Sequence, residues 1–217
     1  MVSCCQCEGI EREFGDKRAR KELRRLRRRG PIRTTKLLIE ALRAEGVSGA
    51  SLLDVGGGVG AVHHELLDAG AGDAVHVDIS PAYLDAASHE AARRGHVGRV
   101  RFVRGDFVAV ADEVGAADVV TLDRVMCCYP DMERLVDRSA ERAQRLYGAV
   151  YPRDAWWVRT GAAVTNAFLR VRRTDFRSYV HPPAAIEARL AGHGFERRSA
   201  RRTLVWTVAV YARRGSA

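Results

Sequence analysis

The stretch from Ala50 to Ser80, ASLLDVGGGVGAVHHELLDAGAGDAVHVDIS, limits the fold more than any other part of the chain. A short apolar run, Leu52 to Val55, ends in a turn containing Gly56, Gly57, Gly58 and Gly60, and a helical segment opens at Ala61. Glycine accepts positive φ without steric cost, so such a turn can reverse sharply and let a ligand approach the backbone. An apolar strand that ends this way belongs inside a parallel sheet with both faces covered.

The rest of the chain keeps the alternation. Helical spacing predicts helices over Asp16–Gly30, Thr34–Gly46, Ala61–Gly70, Pro81–Gly95 and Asp131–Leu146. Short apolar runs predict strands over Ala74–Ile79, Val100–Phe107, Ala117–Val125 and Gly148–Pro152. Strands that alternate with helices of this length require right-handed crossovers, hence a doubly wound α/β fold. Beyond strand five the rhythm changes. Ala155–Arg173 reads as one long helix and Pro182–Phe195 as another, and the runs FERRSARR and TLVWTVAVYA read as a hairpin at the sheet edge.

A chain of 217 residues, 47% of them hydrophobic, can bury one sizeable core. The expected organisation is an N-terminal arm and basic helix over residues 1–33, followed by the main domain over residues 34–217. No run has the roughly 18 apolar residues of a membrane span, and the first residues lack the order of a signal peptide. A cytoplasmic location follows, where Cys4, Cys5, Cys7, Cys127 and Cys128 stay as thiols. The net charge of +9 is concentrated between Lys17 and Arg33. Ala19, Leu23 and Leu26 form a thin apolar stripe there, so the arginines read first as a solvated helix face and second as an RNA or phosphate surface. The oligomeric state is left open.

The glycines GGGVG do not give the G-x-G-x-x-G spacing of a dinucleotide site, because residue 61 is alanine, although a final alanine keeps that rival alive. Two acids argue against it. Asp54, at the end of the first strand, would repel a pyrophosphate and suit an amine-bearing ligand. Asp78 ends the second strand, 24 residues later, where a carboxylate can accept hydrogen bonds from both ribose hydroxyls.

LLDVGGGVG, VHVDIS, VRGDF and ADVVTLDRVMCCYPD together resemble the class I S-adenosylmethionine-dependent methyltransferases, over Leu52 to Tyr151. The resemblance implies a mostly parallel seven-stranded Rossmann-like sheet with a reversed last strand, an N-terminal helical arm, an inserted helix after strand five, and S-adenosylmethionine as cofactor. It places Gly56 and Gly58 against the methionine and ribose portions, Asp78 with Ile79 at the ribose diol, and Asp106 with Phe107 beside adenine. It has Asp54 organise the ligand's amino end through the turn or water, and places Asp123 or Arg124 near its methionine group. More narrowly, Val119 to Pro130 and the basic helix are similar to bacterial proteins related to magnesium-protoporphyrin O-methyltransferases. The chain departs from them at Cys128, where such relatives often carry histidine.

Methyl transfer from a sulfonium is an in-line displacement, so positioning matters and a protein base is optional. His63, His64, the pair Cys127 and Cys128, and His181 are the candidates for base or acceptor ligand. One of His63 and His64 is expected to face the cofactor cleft. The cysteines follow the fourth strand on the acceptor side, where with the N-terminal cysteines they could gather a soft metal, a metalloid or a sulfur substrate. Adjacent cysteines do not easily face one site, and no metal is assigned. Trp156, Trp157, Phe168 and Phe176 read as core first and as an acceptor pocket second. Arg159, Arg170, Arg172 and Arg173 could recognise an acceptor carboxylate. The reading favoured by these features is transfer to a small molecule, at a carboxylate or hydroxyl oxygen or at a thiol. RNA methylation through the basic helix, a non-catalytic S-adenosylmethionine-binding module and a nicotinamide-dependent dehydrogenase are the rivals.

Overall fold

Seven strands form one sheet in the computed structural model, which describes residue 9 and residues 12–215. In chain order they are β1 (Ser51–Val55), β2 (Asp73–Asp78), β3 (Val100–Arg104), β4 (Ala117–Asp123), β5 (Ala143–Pro152), β6 (Phe195–Arg202) and β7 (Trp206–Arg213). Their spatial order is β3-β2-β1-β4-β5-β7-β6. The first five run parallel, β7 pairs antiparallel with β5, and β6 pairs antiparallel with β7. This is the doubly wound sheet with a reversed last strand that the sequence pattern predicts. The strand order reverses between β1 and β4, which opens a crevice at their carboxyl ends.

Among the described residues these α-helices cover it: α1 (Asp16–Arg29), α2 (Arg33–Ala44), α3 (Ala61–Asp68), α4 (Pro81–Arg94), α5 (Phe107–Val110), α6 (Met132–Arg142), α7 (Trp156–Val171) and α8 (Pro183–Gly192). Their ends carry ordinary signals. Ser80 caps α4 by accepting from the Tyr83 N–H, Pro81 opens it, and Gly95 closes it in the left-handed conformation.

Alternating side chains of each strand divide between two cores. Leu52 and Val119 join Leu38 and Leu42 of α2 and Leu66 of α3 on one face. Leu53 and Val120 join Leu135 of α6 and Ile186 of α8 on the other. A third, smaller cluster holds α1 down: Ala19, Leu23 and Leu26 pack with Val59 of the glycine turn and with Tyr83 and Ala86 of α4. The apolar stripe read from the sequence therefore faces the domain as expected.

Three boundaries differ from the sequence pattern. The helix predicted through Leu146 stops at Arg142, and β5 starts at Ala143, five residues before Gly148. Leu146 and Tyr147 pair with Ala212 and Tyr211 of β7, and sheet pairing overrides a helical spacing that is equally present. β3 ends at Arg104, because Asp106 caps the short α5 and makes Phe107 helical. The core reading of the aromatic residues in α7 is also wrong. Trp156 is 75% exposed and Phe168 is 58% exposed, and the helix buries only Val158 and Leu169. Among the described residues no helix is long and apolar enough to cross a membrane.

Glu90 of α4 ties α1 to the sheet layer. Its buried carboxylate accepts from Arg27 Nε of α1 at 2.8 Å and from Arg93 and Arg94 of its own helix. Burial alone would raise its pKa, but the bonds from Arg93, Arg27 and Arg94 outweigh that and hold the carboxyl well below the usual range. Glu90→Ala should cost about 1–3 kcal/mol in urea unfolding, since charge-assisted bonds are lost while two of the arginines stay solvated. Amide exchange should rise first in α1. Equal exchange rates in α1 of the two proteins would show that the apolar stripe holds the helix unaided.

Candidate active site

A cavity of about 360 Å³ lies at the carboxyl ends of β1, β2 and β4. Its floor is the glycine turn, where Gly56, Gly58 and Gly60 have φ of 60°, 56° and 80°. A Cβ on Gly56 would stand 2.7 Å from Val125 Cγ2, and one on Gly57 would stand 2.6 Å from Asp54 Oδ2 and 2.7 Å from His76 Nδ1. The turn is thus closed to larger residues by conformation at one position and by space at another.

Beneath the turn lies a buried polar cluster. Asp54 Oδ1 accepts from the Thr121 hydroxyl at 2.7 Å, and Asp54 Oδ2 lies 2.9 Å from His63 Nδ1, which in turn is 3.4 Å from His76 Nδ1. Burial pushes His63 and His76 down to about 3 and raises Asp54. Both imidazoles are therefore neutral, with His63 Nδ1–H donating to Asp54, and the Nε2 atom of each has no hydrogen-bond partner among the described residues. Asp54, His63 and His76 offer ligand atoms within 4.8 Å of one another, a donor set of the kind that binds divalent transition metals, sealed under the turn.

One expectation fails at this cluster. Asp54 borders the cavity with both its oxygens engaged below the turn, so it can act on a ligand only through the turn. Neither His63 nor His64 borders the cavity. His63 serves Asp54, and His64 packs between His96 and the Ala87 carbonyl. The first histidine of α3 is turned inward against Asp54 of β1 and His76 of β2.

Above the turn Asp78 does the opposite. Its Oδ2 accepts the Gly58 N–H at 3.0 Å and its Oδ1 the Ser80 N–H at 2.9 Å, which fixes the carboxylate at the cavity edge beside Ile79. Burial pushes it up to about 6, against the pull of the Ser80 and Gly58 bonds. Each oxygen keeps a lone pair for a ligand hydroxyl. Asp106 caps α5 through the Val108 N–H at 3.1 Å and accepts the Tyr129 hydroxyl at 3.0 Å; it borders the cavity with the buried Phe107. Asp123 accepts from the Thr35 hydroxyl of α2 and from Arg124 Nε at 3.2 Å. Arg124 has φ of 61°, a left-handed conformation that costs a non-glycine residue on the order of 1 kcal/mol and that turns the chain away from β4.

Residues that sequence reasoning missed form the roof. Phe14, Arg18 and Glu22 border the cavity with Tyr83, Ser178 and Trp206, beside Phe176, the one of the four aromatic residues considered for a pocket that lines it. Phe14 packs against Tyr83 and Phe176 with ring centroids 5.9 and 5.7 Å away, and the Arg18 guanidinium stands 4.2 Å above the Phe14 ring. The signal was present: Arg18 and Glu22 share an i, i+4 face that flanks the stripe of Ala19, Leu23 and Leu26.

Cys127 and Cys128 both border the cavity. His181 does not. Its Nε2–H donates to the carbonyls of Met126 and Tyr129 at 3.0 and 2.9 Å, so it holds the cysteine turn in place and is not aimed at an acceptor. Cys4, Cys5 and Cys7 lie outside the described residues.

Residues 52–145 match the methyltransferase domain family. By sequence, no curated protein matches the chain. Among solved structures, magnesium protoporphyrin IX methyltransferase from Synechocystis PCC 6803 with bound SAH superposes with a TM-score of 0.75 at 20% identity, covering 96% of this chain and 99% of that one. An O-methyltransferase family protein from Burkholderia thailandensis gives 0.71 at 19% identity over 96% of this chain and 64% of its own. A proposed RNA methyltransferase from Pyrococcus horikoshii gives 0.63 at 16% identity over 87% and 86%. At these identities the likeness is one of fold.

The raised pKa of Asp78 makes a stability test. An acid raised from 3.8 to about 6 contributes stability that is full below its unfolded value and is lost as pH rises through about 6. Asp78→Asn stays neutral, so its stability relative to the natural chain should improve between pH 4 and pH 7 by on the order of 1–3 kcal/mol. Urea unfolding at several pH values measures this, and a difference independent of pH would place the native Asp78 pKa near its ordinary value.

Proposed function

We propose that this chain, a class I S-adenosylmethionine-dependent methyltransferase, transfers its methyl group to a small-molecule acceptor, at a carboxylate or hydroxyl oxygen or at a thiol. One observation carries the reading: one cavity, roofed by Phe14, Arg18 and Glu22, is bordered at once by Asp78 and Asp106 and by Arg124, Cys127 and Cys128. It is large enough for a nucleoside and a compact acceptor, and α1 narrows its access.

In this reading Gly56 and Gly58, both at positive φ, pass the backbone against the cofactor. Asp78, oriented by two N–H groups, accepts the ribose hydroxyls, with Ile79 alongside. Asp106 and Phe107 flank the base. Asp123 and Arg124 stand at the methionine end, Asp123 acting through Arg124 and Thr35. When bound, the cofactor supplies an activated methyl carbon on a sulfonium. The protein's contribution is to hold the acceptor in line with that carbon and to exclude water. Arg18 and Arg124 suit an anionic acceptor atom. Of the four groups considered for proton removal or acceptor contact, only the two cysteines border the cavity.

RNA methylation is supported by the exposed basic face of α1, with Lys17, Arg20, Lys21, Arg24, Arg25, Arg28 and Arg29 outward. Against it, Arg18 pairs with Glu13 and Glu22, Arg27 pairs with Glu90, and the helix roofs the cavity where an extruded base would enter.

Calorimetry decides between these readings. S-adenosylmethionine and S-adenosylhomocysteine should bind in the micromolar range, NADH should not compete, and Asp78→Ala should weaken binding on the order of 100-fold, as expected when two charge-assisted bonds to the ribose are lost. Turnover with a panel of carboxylic acids and thiols should then vary little with salt, whereas an RNA substrate would lose affinity steeply between 50 and 200 mM. Absence of sulfur-ligand binding, or competition by NADH, would overturn the proposal.

A further inference from the structure

Adjacent cysteines in an extended strand point to opposite sides, but here they do not. Immediately after β4 and the left-handed Arg124, residues Met126–Cys128 form a single 3-10 turn. This brings Cys127 Sγ and Cys128 Sγ to 3.7 Å. Both sulfurs turn toward the Arg124 carbonyl, Cys127 at 3.1 Å and Cys128 at 4.0 Å, and both residues border the cavity. They are thiols and not a disulfide.

The turn is held from outside. The Cys127 carbonyl accepts the Tyr179 N–H at 2.8 Å, and His181 Nε2–H bridges the carbonyls of Met126 and Tyr129. The Tyr179 and His181 rings stack, with centroids 5.7 Å apart. A neighbouring segment thus fixes the backbone on which the two sulfurs sit. Two thiolates bound to one tetrahedral ion at ~2.3 Å stand about 3.8 Å apart. The observed separation meets that requirement with no movement of the chain.

We propose that Cys127 and Cys128 form a two-sulfur site for one thiophilic centre, a soft d10 cation or a trivalent arsenical, in the wall of the cofactor cavity, with its remaining positions open to the cavity. The electrostatics agree with it. The hydrogen bond from Cys127, together with the nearby Arg18 and Arg124 guanidiniums, lowers the Cys128 pKa against the effect of burial. That same bond and burial raise the Cys127 pKa. Cys128 is thus the more easily deprotonated of the two, and binding displaces the remaining thiol protons. With a divalent cation both thiol protons are released. With phenylarsine oxide the oxygen leaves as water with both protons, two S–As bonds form, and no electrons are exchanged. The inference concerns the cysteine wall and does not depend on which acceptor is methylated.

The test uses the full chain with Cys4, Cys5 and Cys7 replaced by serine, so that of the five cysteines only this pair remains. Cadmium should bind one per chain, seen as a thiolate-to-cadmium charge-transfer band. Phenylarsine oxide should add once by native mass spectrometry, resist excess monothiol and be removed by dithiothreitol. Cys127→Ala and Cys128→Ser should each weaken cadmium on the order of 100-fold, since the second sulfur acts at high effective concentration. A thermal melt, recorded for every variant, confirms folding, and S-adenosylhomocysteine binding is measured beside it. If folded protein binds neither probe, or if either single variant binds as tightly as its parent, the proposal is overturned. Uptake of cadmium but not of the arsenical assigns the site to cations, and the reverse assigns it to arsenicals. Binding of a probe by protein that does not take S-adenosylhomocysteine would sink the methyltransfer reading and leave this one standing.

Discussion

The glycine turn after β1 is the constraint on which the site depends. Three of its residues sit at positive φ, where each non-glycine residue would cost roughly 1–2 kcal/mol, and its middle glycine touches a carboxylate and an imidazole. Such a turn has little intrinsic preference for one shape. Asp78 holds the Gly58 N–H from above and the Val77 carbonyl holds the Gly56 N–H, while Asp54, locked by Thr121 and His63, fills the space beneath Gly57. Both acids end neighbouring strands of the parallel pair β1 and β2, so the sheet itself sets their separation.

The N-terminal helix shows how charge and packing divide their work. Most of its basic residues are solvated and contribute little to holding it. Its attachment rests on Leu23 and Leu26, each worth roughly 1.5–3 kcal/mol when buried, while the bond from Arg27 to Glu90 fixes its rotation. That rotation matters, because it turns Arg18 and Glu22 over the cavity and sends the remaining cations outward. A helix that reads as a solvated charge run is thereby also a roof.

Much of this was legible in the sequence, and what was not has physical causes. Strand and helix alternation, the glycine turn and the acid at the end of β2 are local patterns, and the observed topology follows them. The target of Asp54 was not legible, because it depends on Thr121, a residue 67 positions away that meets it only when β4 pairs with β1. His63 misled for the same reason: its spacing from the turn does not tell whether the first turn of α3 faces the cleft or the sheet. Leu146 and Tyr147 fit a helix as well as a strand until β7 supplies partners. The tryptophans of α7 are apolar, yet the helix touches the domain along one narrow stripe, and apolar composition does not say which side is covered. The cysteine pair was underestimated because adjacent side chains diverge in a strand, whereas a 3-10 turn gathers them.

Acidic and basic side chains around the cavity are largely committed to backbone or neighbouring groups. Asp78 and Asp106 hold N–H groups, Asp123 holds Thr35 and Arg124, and His181 holds two carbonyls. A reaction that relied on proton transfer would need such a group turned toward the substrate with its pKa near the working pH. Displacement at a methyl carbon makes no such demand; it rewards rigid placement to within a fraction of an ångström. An arrangement in which titratable groups act as struts, and in which the strained Arg124 and the pinned cysteine turn shape one wall of the cavity, suits chemistry that proceeds by positioning.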